Sequence, residues 1–139
     1  IIAFENDVNI LRKISSLTFP KKYSWAFAFI CRAVKEKTLC QGEYEFVLYV
    51  DDAQESLSVL SPNSISVCFF DPFSPKKCPN LWTEDIFQKL YASMKPNSVL
   101  TTYSCARVVR KNMSKAGFLT EDGPVIGRTS PGTIARKVV

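Results

Sequence analysis

The sequence predicts a single α/β domain on a mostly parallel sheet that closes with a C-terminal antiparallel hairpin. Three observations carry this expectation. Short apolar or β-branched runs alternate with segments of helical periodicity along the chain. Acids recur at the carboxyl ends of the expected strands, at Glu5, at Asp51 or Asp52, and at Asp71. Turn signals gather near the end, at Gly123-Pro124 and Ser130-Pro131-Gly132, where a hairpin is the simplest reading. A chain of 139 residues with 46% apolar composition has the size of one domain and can bury a core.

Taken in order, Ile1-Ile2-Ala3-Phe4 is a short strand closed by Glu5, and Val8, Leu11, Ile14 and Leu17 then recur at helical spacing. Asn6 or Asp7 can cap that helix. The stretch from Lys22 to Lys37 predicts a buried helix whose aromatics, Tyr23, Trp25, Phe27 and Phe29, serve the core. Tyr44 to Val50 has strand character and runs into Asp51-Asp52-Ala53, followed by a helical segment through Leu57 and Leu60 that breaks at Ser61-Pro62-Asn63. Ile65 to Phe70 is nearly all apolar, as expected of a strand covered on both faces. After a proline-rich loop, Thr83 caps a helix through Ile86, Phe87 and Leu90. Ser98 to Tyr103 is the next strand. Ser104 opens a helix carrying Val108, Val109 and Met113, which Gly117 ends. Thr133 to Val139 is the last strand.

Composition narrows the chemistry. The chain has no histidine, which removes Ser-His-Asp and Cys-His nucleophilic designs and histidine metal sites. Its five cysteines show neither metal spacing nor an even count, and read as reduced intracellular thiols, with Cys68 a small core residue. No apolar run approaches the ~18 residues of a membrane span, so a soluble cytoplasmic protein is expected. Charge is divided unevenly. Through Asp71 there are 7 Lys+Arg against 9 Asp+Glu, whereas from Pro72 onward there are 11 against 4, an asymmetry suited to a polyanion such as RNA or to a solvated surface.

The most informative stretch is Val67-Cys68-Phe69-Phe70-Asp71-Pro72-Phe73-Ser74-Pro75-Lys76-Lys77-Cys78-Pro79-Asn80-Leu81-Trp82. Pro72 pushes Asp71 toward an extended conformation and ends the ladder there, and the later prolines deny the loop regular structure. In open α/β sheets ligands bind beyond the strands' carboxyl ends, so this acid is either a site residue or the start of a structural turn. Three strand-end acids in series favour a nucleotide-derived ligand, because each can accept from a sugar hydroxyl or a base amine. No GxGxxG or GxxxxGK[ST] motif is present.

The block Asp71 to Thr83, with Tyr103-Ser104-Cys105-Ala106, Val109-Arg110 and Ala116-Gly117-Phe118, resembles the MnmC-like methyltransferase family. The resemblance runs over nearly the whole chain and is strongest from Asp71 to Thr83. It implies a Rossmann-like, S-adenosyl-L-methionine-dependent N-methyltransferase acting on the aminomethyl group of a tRNA wobble uridine. By position, Glu5 resembles the acid on the cofactor's ribose, and Asp51 and Asp52 with Ala53 resemble the adenine edge. Asp71 resembles the acid beside the methyl donor and acceptor amine, in the loop that also holds Phe73, and Tyr103 at the end of the following strand either lines the acceptor pocket or is a strand aromatic. Pro75, Lys76, Lys77, Arg107, Arg110, Lys111, Lys115 and Arg128 would meet RNA. Two departures stand out. Thr129-Ser130-Pro131-Gly132 replaces the family's basic continuation after Gly127-Arg128, and the glycine-rich first strand and turn are absent. The resemblance thus implies a preceding segment whose strand lies between those of Ile1 and Ile65, and a separate oxidase partner in place of the bacterial fusion. The opening Ile1 fits a trimmed start.

Methyl transfer from a sulfonium needs alignment more than acid-base machinery, and positioning can supply ~7–11 kcal/mol. An ordinary Asp, of pKa ~4, is a weak base, so Asp71 is expected to orient the amine. Two other readings remain. Asp71-Pro72-Phe73 also resembles the Asp-Pro-Pro-aromatic loop of amino-methyltransferases that act on exocyclic base nitrogens or on protein glutamine. A non-catalytic nucleotide- or RNA-binding module would show the same strand-end acids.

Overall fold

The structure, a computed structural model, describes residues 1–125, 127 and 129–138. It divides into two compact units, Ile1–Ser56 and Leu57–Val139. In the first, β1 (Ile2–Phe4) leads to α1 (Val8–Ile14), α2 (Ser24–Glu36), β2 (Thr38–Gln41), β3 (Tyr44–Tyr49) and the short α3 (Ala53–Ser56). The second contains β4 (Ile65–Phe69), α4 (Glu84–Ser93), β5 (Met94–Thr102), α5 (Arg107–Lys115), β6 (Leu119–Asp122) and β7 (Thr133–Lys137).

Each unit carries its own sheet. The first has strand order β1-β3-β2, with β1 parallel to β3 and β2 antiparallel to it. Phe4 lies opposite Tyr49, and their rings stack with centroids 5.4 Å apart. Because the pair is parallel, the segments holding Glu5 and Asp51-Asp52 leave the sheet at the same end. The strand β2 was not expected from sequence. Its signal is Gly42, which has φ +59° in a two-residue loop, where hairpins need a positive φ.

The helix α2 corrects an expectation. Only Ala33 is fully buried along it, and Trp25 is 71% exposed. Apolar residues surround this helix, while a three-stranded sheet covers one face. Phe29 meets Tyr44 and Phe46 edge-on, and Phe27 stacks on Phe19. Asp7 caps α1, its side chain accepting from the Asn9 N–H at 2.8 Å.

The second sheet has order β4-β5-β7-β6, with β4 parallel to β5 and the last two strands antiparallel as the turn signals implied. Its core packs Ile86, Phe87 and Leu90 of α4 with Leu100 and with Val109 and Met113 of α5. The strand β4 is the edge strand, and Phe69 is 80% exposed, so the two-sided cover inferred from its apolar run is not supplied by the described residues. The strand β5 starts at Met94, four residues earlier than expected. Thr83 caps α4, accepting from the Ile86 N–H. The helix α5 begins at Arg107 instead of Ser104, because buried Ser104 spends its hydroxyl on the Ala106 N–H ahead of the helix. Lys137 Nζ donates to the Tyr91 and Met94 carbonyls and sits 4.6 Å from the Tyr91 ring centroid, a cation at the C-terminal end of α4. Gly117 holds φ +107°, and a Cβ there would come within 3.0 Å of the Tyr91 ring. Replacing Gly117 by Ala should lower unfolding stability by about 1–3 kcal/mol, read by urea denaturation; an unchanged midpoint would refute this account of the helix end.

Candidate functional site

The candidate residues fall into two groups, one in each unit. In the first unit, Glu5 follows β1, and its main-chain N–H extends the ladder to the Tyr49 carbonyl at 3.1 Å. Its Oε1 accepts from the Asp7 N–H at 2.8 Å, and Oε2 has no partner among the described residues. Asp51 Oδ1 accepts from the Asp52 N–H at 2.8 Å, and its Oδ2 accepts from the Ser56 hydroxyl at 3.2 Å. Asp52 caps α3 by accepting from the Gln54 N–H at 2.9 Å, which leaves Ala53 as the first helical residue. These acids therefore organise their own turns. Glu5 in addition keeps an open acceptor oxygen, the chemistry a ribose hydroxyl requires. An apolar cleft of about 490 Å³ in this unit, lined by Val8, Leu11, Ile14, Cys31 and Val34, includes none of them.

In the second unit the geometry centres on Asp71. The parallel ladder continues one residue past β4, where the Phe70 N–H donates to the Thr101 carbonyl at 2.8 Å, and Pro72 has no N–H to continue it. The Tyr103 N–H, which a longer ladder would send to a main-chain carbonyl, instead donates to Asp71 Oδ1 at 3.2 Å. Oδ2 has no partner among the described residues and the carboxylate is exposed. The Tyr103 hydroxyl donates to the Pro72 carbonyl at 3.0 Å, and the Trp82 indole N–H donates to the Phe73 carbonyl at 2.8 Å. Each of the three residues of the Asp-Pro-Phe turn is thus held from outside the turn. Sequence reasoning placed Phe73 and Tyr103 at this site but missed Trp82. Its signal was an aromatic directly before the Thr83 cap.

The Phe73 ring is 68% exposed, and Lys77 Nζ lies 6.0 Å from its centroid. Pro75 is half-buried, while Lys76 and Lys77 are exposed where the chain turns around the Ser74 carbonyl. Arg107 and Lys111 are exposed one turn apart on α5. Arg110 lies differently from its neighbours. Its guanidinium donates to the Thr133 hydroxyl at 2.9 Å and the Gly132 carbonyl at 3.1 Å, and it pairs with Asp122 at 2.6 Å. Expected as an RNA contact, Arg110 is committed to joining α5 to the β6–β7 hairpin, and Lys115, expected there too, pairs with Glu84 of α4 at 2.8 Å. Arg128 lies outside the described residues.

Burial, helped by the nearby Asp71 charge, pushes the Cys68 thiol up to about 12. It stays protonated through the neutral range and serves packing. Iodoacetamide at pH 8 should label exposed Cys40 well before Cys68 in the native protein, read by peptide mass spectrometry; early labelling of Cys68 would contradict this burial.

Comparison with known proteins places this geometry in context. A family model described as S-adenosyl-L-methionine-dependent methyltransferase matches residues 20–138. An uncharacterized protein of Methanocaldococcus jannaschii is 37% identical over 98 residues, which are 70% of this chain and 27% of that protein. The tRNA 5-methylaminomethyl-2-thiouridine biosynthesis bifunctional protein MnmC of Pseudomonas putida is 34% identical over 91 residues, 66% of this chain and 14% of the relative. Among solved structures, MNMC2 from Aquifex aeolicus superimposes with a TM-score of 0.80 at 24% identity, covering 96% of this chain and 42% of that one. A spermidine synthase from Thermotoga maritima shares the fold, with a TM-score of 0.66 at 15% identity. The chain spans less than half the length of each of these relatives. No helix among the described residues is long and apolar enough to cross a membrane.

Proposed function

Since the chain belongs to the S-adenosyl-L-methionine-dependent methyltransferase family, we propose that it forms part of an N-methyltransferase that acts on the aminomethyl group of a tRNA wobble uridine. The observation that carries this reading is the Asp71 carboxylate at the end of β4, with Oδ1 held by the Tyr103 N–H and Oδ2 open. The relatives named for tRNA 5-methylaminomethyl-2-thiouridine biosynthesis support the choice of acceptor.

The residues present suit the adenosine end of the cofactor. Glu5 offers an open carboxylate oxygen to ribose hydroxyls, and the Asp51-Asp52-Ala53 turn, leaving its sheet at the same end, offers acceptors to the adenine edge. When bound, S-adenosyl-L-methionine supplies an electrophilic methyl group on a sulfonium. The protein's part is then to present a nitrogen lone pair along the line of displacement. Asp71 Oδ2 accepts one N–H of the acceptor amine and so fixes the direction of its lone pair, while Phe73 offers an exposed ring beside it. Tyr103 acts through its backbone N–H on Asp71 and its hydroxyl on Pro72. Lys76, Lys77, Arg107 and Lys111 are the exposed cations available to tRNA phosphates.

With full-length protein, cofactor and tRNA from cells lacking this gene, mass analysis of nucleosides should show one methyl group gained on the wobble uridine. Transfer to another base or to a protein amine would replace this acceptor. Asp71→Asn should lower kcat about 10²-fold at unchanged cofactor affinity, and an unaltered kcat would remove Asp71 from the reaction. Four phosphate contacts imply that tRNA affinity falls about 10²-fold between 50 and 200 mM salt; a flat profile would make the basic half a solvated surface.

A further inference from the structure

We propose that Trp82 is a positioning residue for Asp71, and that Asn112 holds Trp82 in place. The inference rests on the reading of Asp71 as the acid that orients the acceptor.

Trp82 is 3% exposed and touches the frame of the carboxylate from three directions. Its ring meets Phe70, the residue before Asp71, edge-on with centroids 5.3 Å apart. Its indole N–H donates to the Phe73 carbonyl, two residues after Asp71, at 2.8 Å. Its ring also meets Tyr103 edge-on at 6.0 Å, and Tyr103 supplies both the N–H on Asp71 Oδ1 and the hydroxyl on the Pro72 carbonyl. A buried indole needs a partner for its N–H, and a proline-rich turn has carbonyls without ladder partners, so one bond meets both needs. The Trp82 main chain is held in turn, because Asn112 Nδ2 of α5 donates to its carbonyl at 2.8 Å.

An exposed carboxylate on a loop would otherwise sample several rotamers, and a small misplacement of a positioned group can cost up to ~10²-fold in rate. The indole limits that freedom by holding the Phe73 carbonyl after Asp71 and by packing against the rings of Phe70 before it and of Tyr103, the residue that binds it. The same contacts serve packing in an ordinary way. What separates positioning from packing is the N–H bond, which Trp82→Phe removes while retaining an aromatic ring.

The test uses Trp82→Phe in the full-length polypeptide, with Asn112→Ala as a second variant that leaves the indole intact if the first does not fold. Two readouts are taken: the pH-dependent excursion of the Tyr103 amide proton, which follows its bond to the Asp71 carboxylate, and the single-turnover rate of methyl transfer to tRNA. Trp82→Phe should reduce the excursion at least about twofold and the rate about tenfold, with cofactor affinity unchanged; Asn112→Ala should show about a third of that loss in rate. An excursion and a rate within about twofold of the unsubstituted protein in every folded variant would overturn the inference. If the unsubstituted protein transfers no methyl group to tRNA, the proposed function fails by itself, and the amide excursion still decides whether Trp82 holds Asp71.

Discussion

The second unit depends on a substitution of acceptors at the end of β4. Parallel strands keep their alignment through evenly spaced main-chain bonds, and Pro72 interrupts that series by removing a donor and turning the chain. Where the chain turns, the Tyr103 N–H meets a side-chain acceptor in place of a main-chain carbonyl. The Asp71 side chain replaces it, through Oδ1 at 3.2 Å. One interaction therefore completes the sheet edge and orients a carboxylate whose other oxygen faces outward. A charged acceptor strengthens such a bond, which helps it persist at an exposed position.

Around that bond the protein arranges groups that have few alternatives. The Pro72 and Phe73 carbonyls lie in a turn and take donors from Tyr103 and Trp82. On the far side of β5, the Thr133 hydroxyl donates to the Ser104 carbonyl at 2.6 Å while accepting from Arg110, which ties the segment after Tyr103 to the C-terminal hairpin. Helix α5 thus contributes from both faces, Asn112 toward Trp82 and Arg110 toward Thr133. This explains why two neighbouring basic residues behave differently. Lys111 remains exposed for a polyanion, whereas Arg110 spends its planar donor set on the fold.

The first unit meets a related need by other means. The acids after β1 and β3 satisfy nearby N–H groups in the turns that lead to the next helix. Capping and ligand binding are compatible here because a carboxylate has more acceptor sites than one cap uses. The parallel pairing of β1 with β3 puts these turns at one end of the sheet, a relation that alternation of strands and helices implied and that register makes definite.

Sequence by itself determined the order of elements apart from β2, the strand-end acids, a helix cap at Asn6 or Asp7 and another at Thr83, and the late hairpin. Each of these rests on local chemistry: periodicity, a capping side chain, or a proline that removes a donor. The Asp71 to Thr83 block also carried the family. Tertiary structure decided what depends on distant partners. It showed that helix 24–36 leaves aromatics exposed because apolar residues encircle it while its sheet is three strands wide, that a strand at 38–41 pairs back across Gly42, and that Arg110 turns inward. The bonds that hold Asp71 span 9 to 32 residues along the chain, and no local pattern records such pairings. Local residues could therefore mark the carboxylate, but its orientation follows only from packing Trp82 and Tyr103 against the same turn.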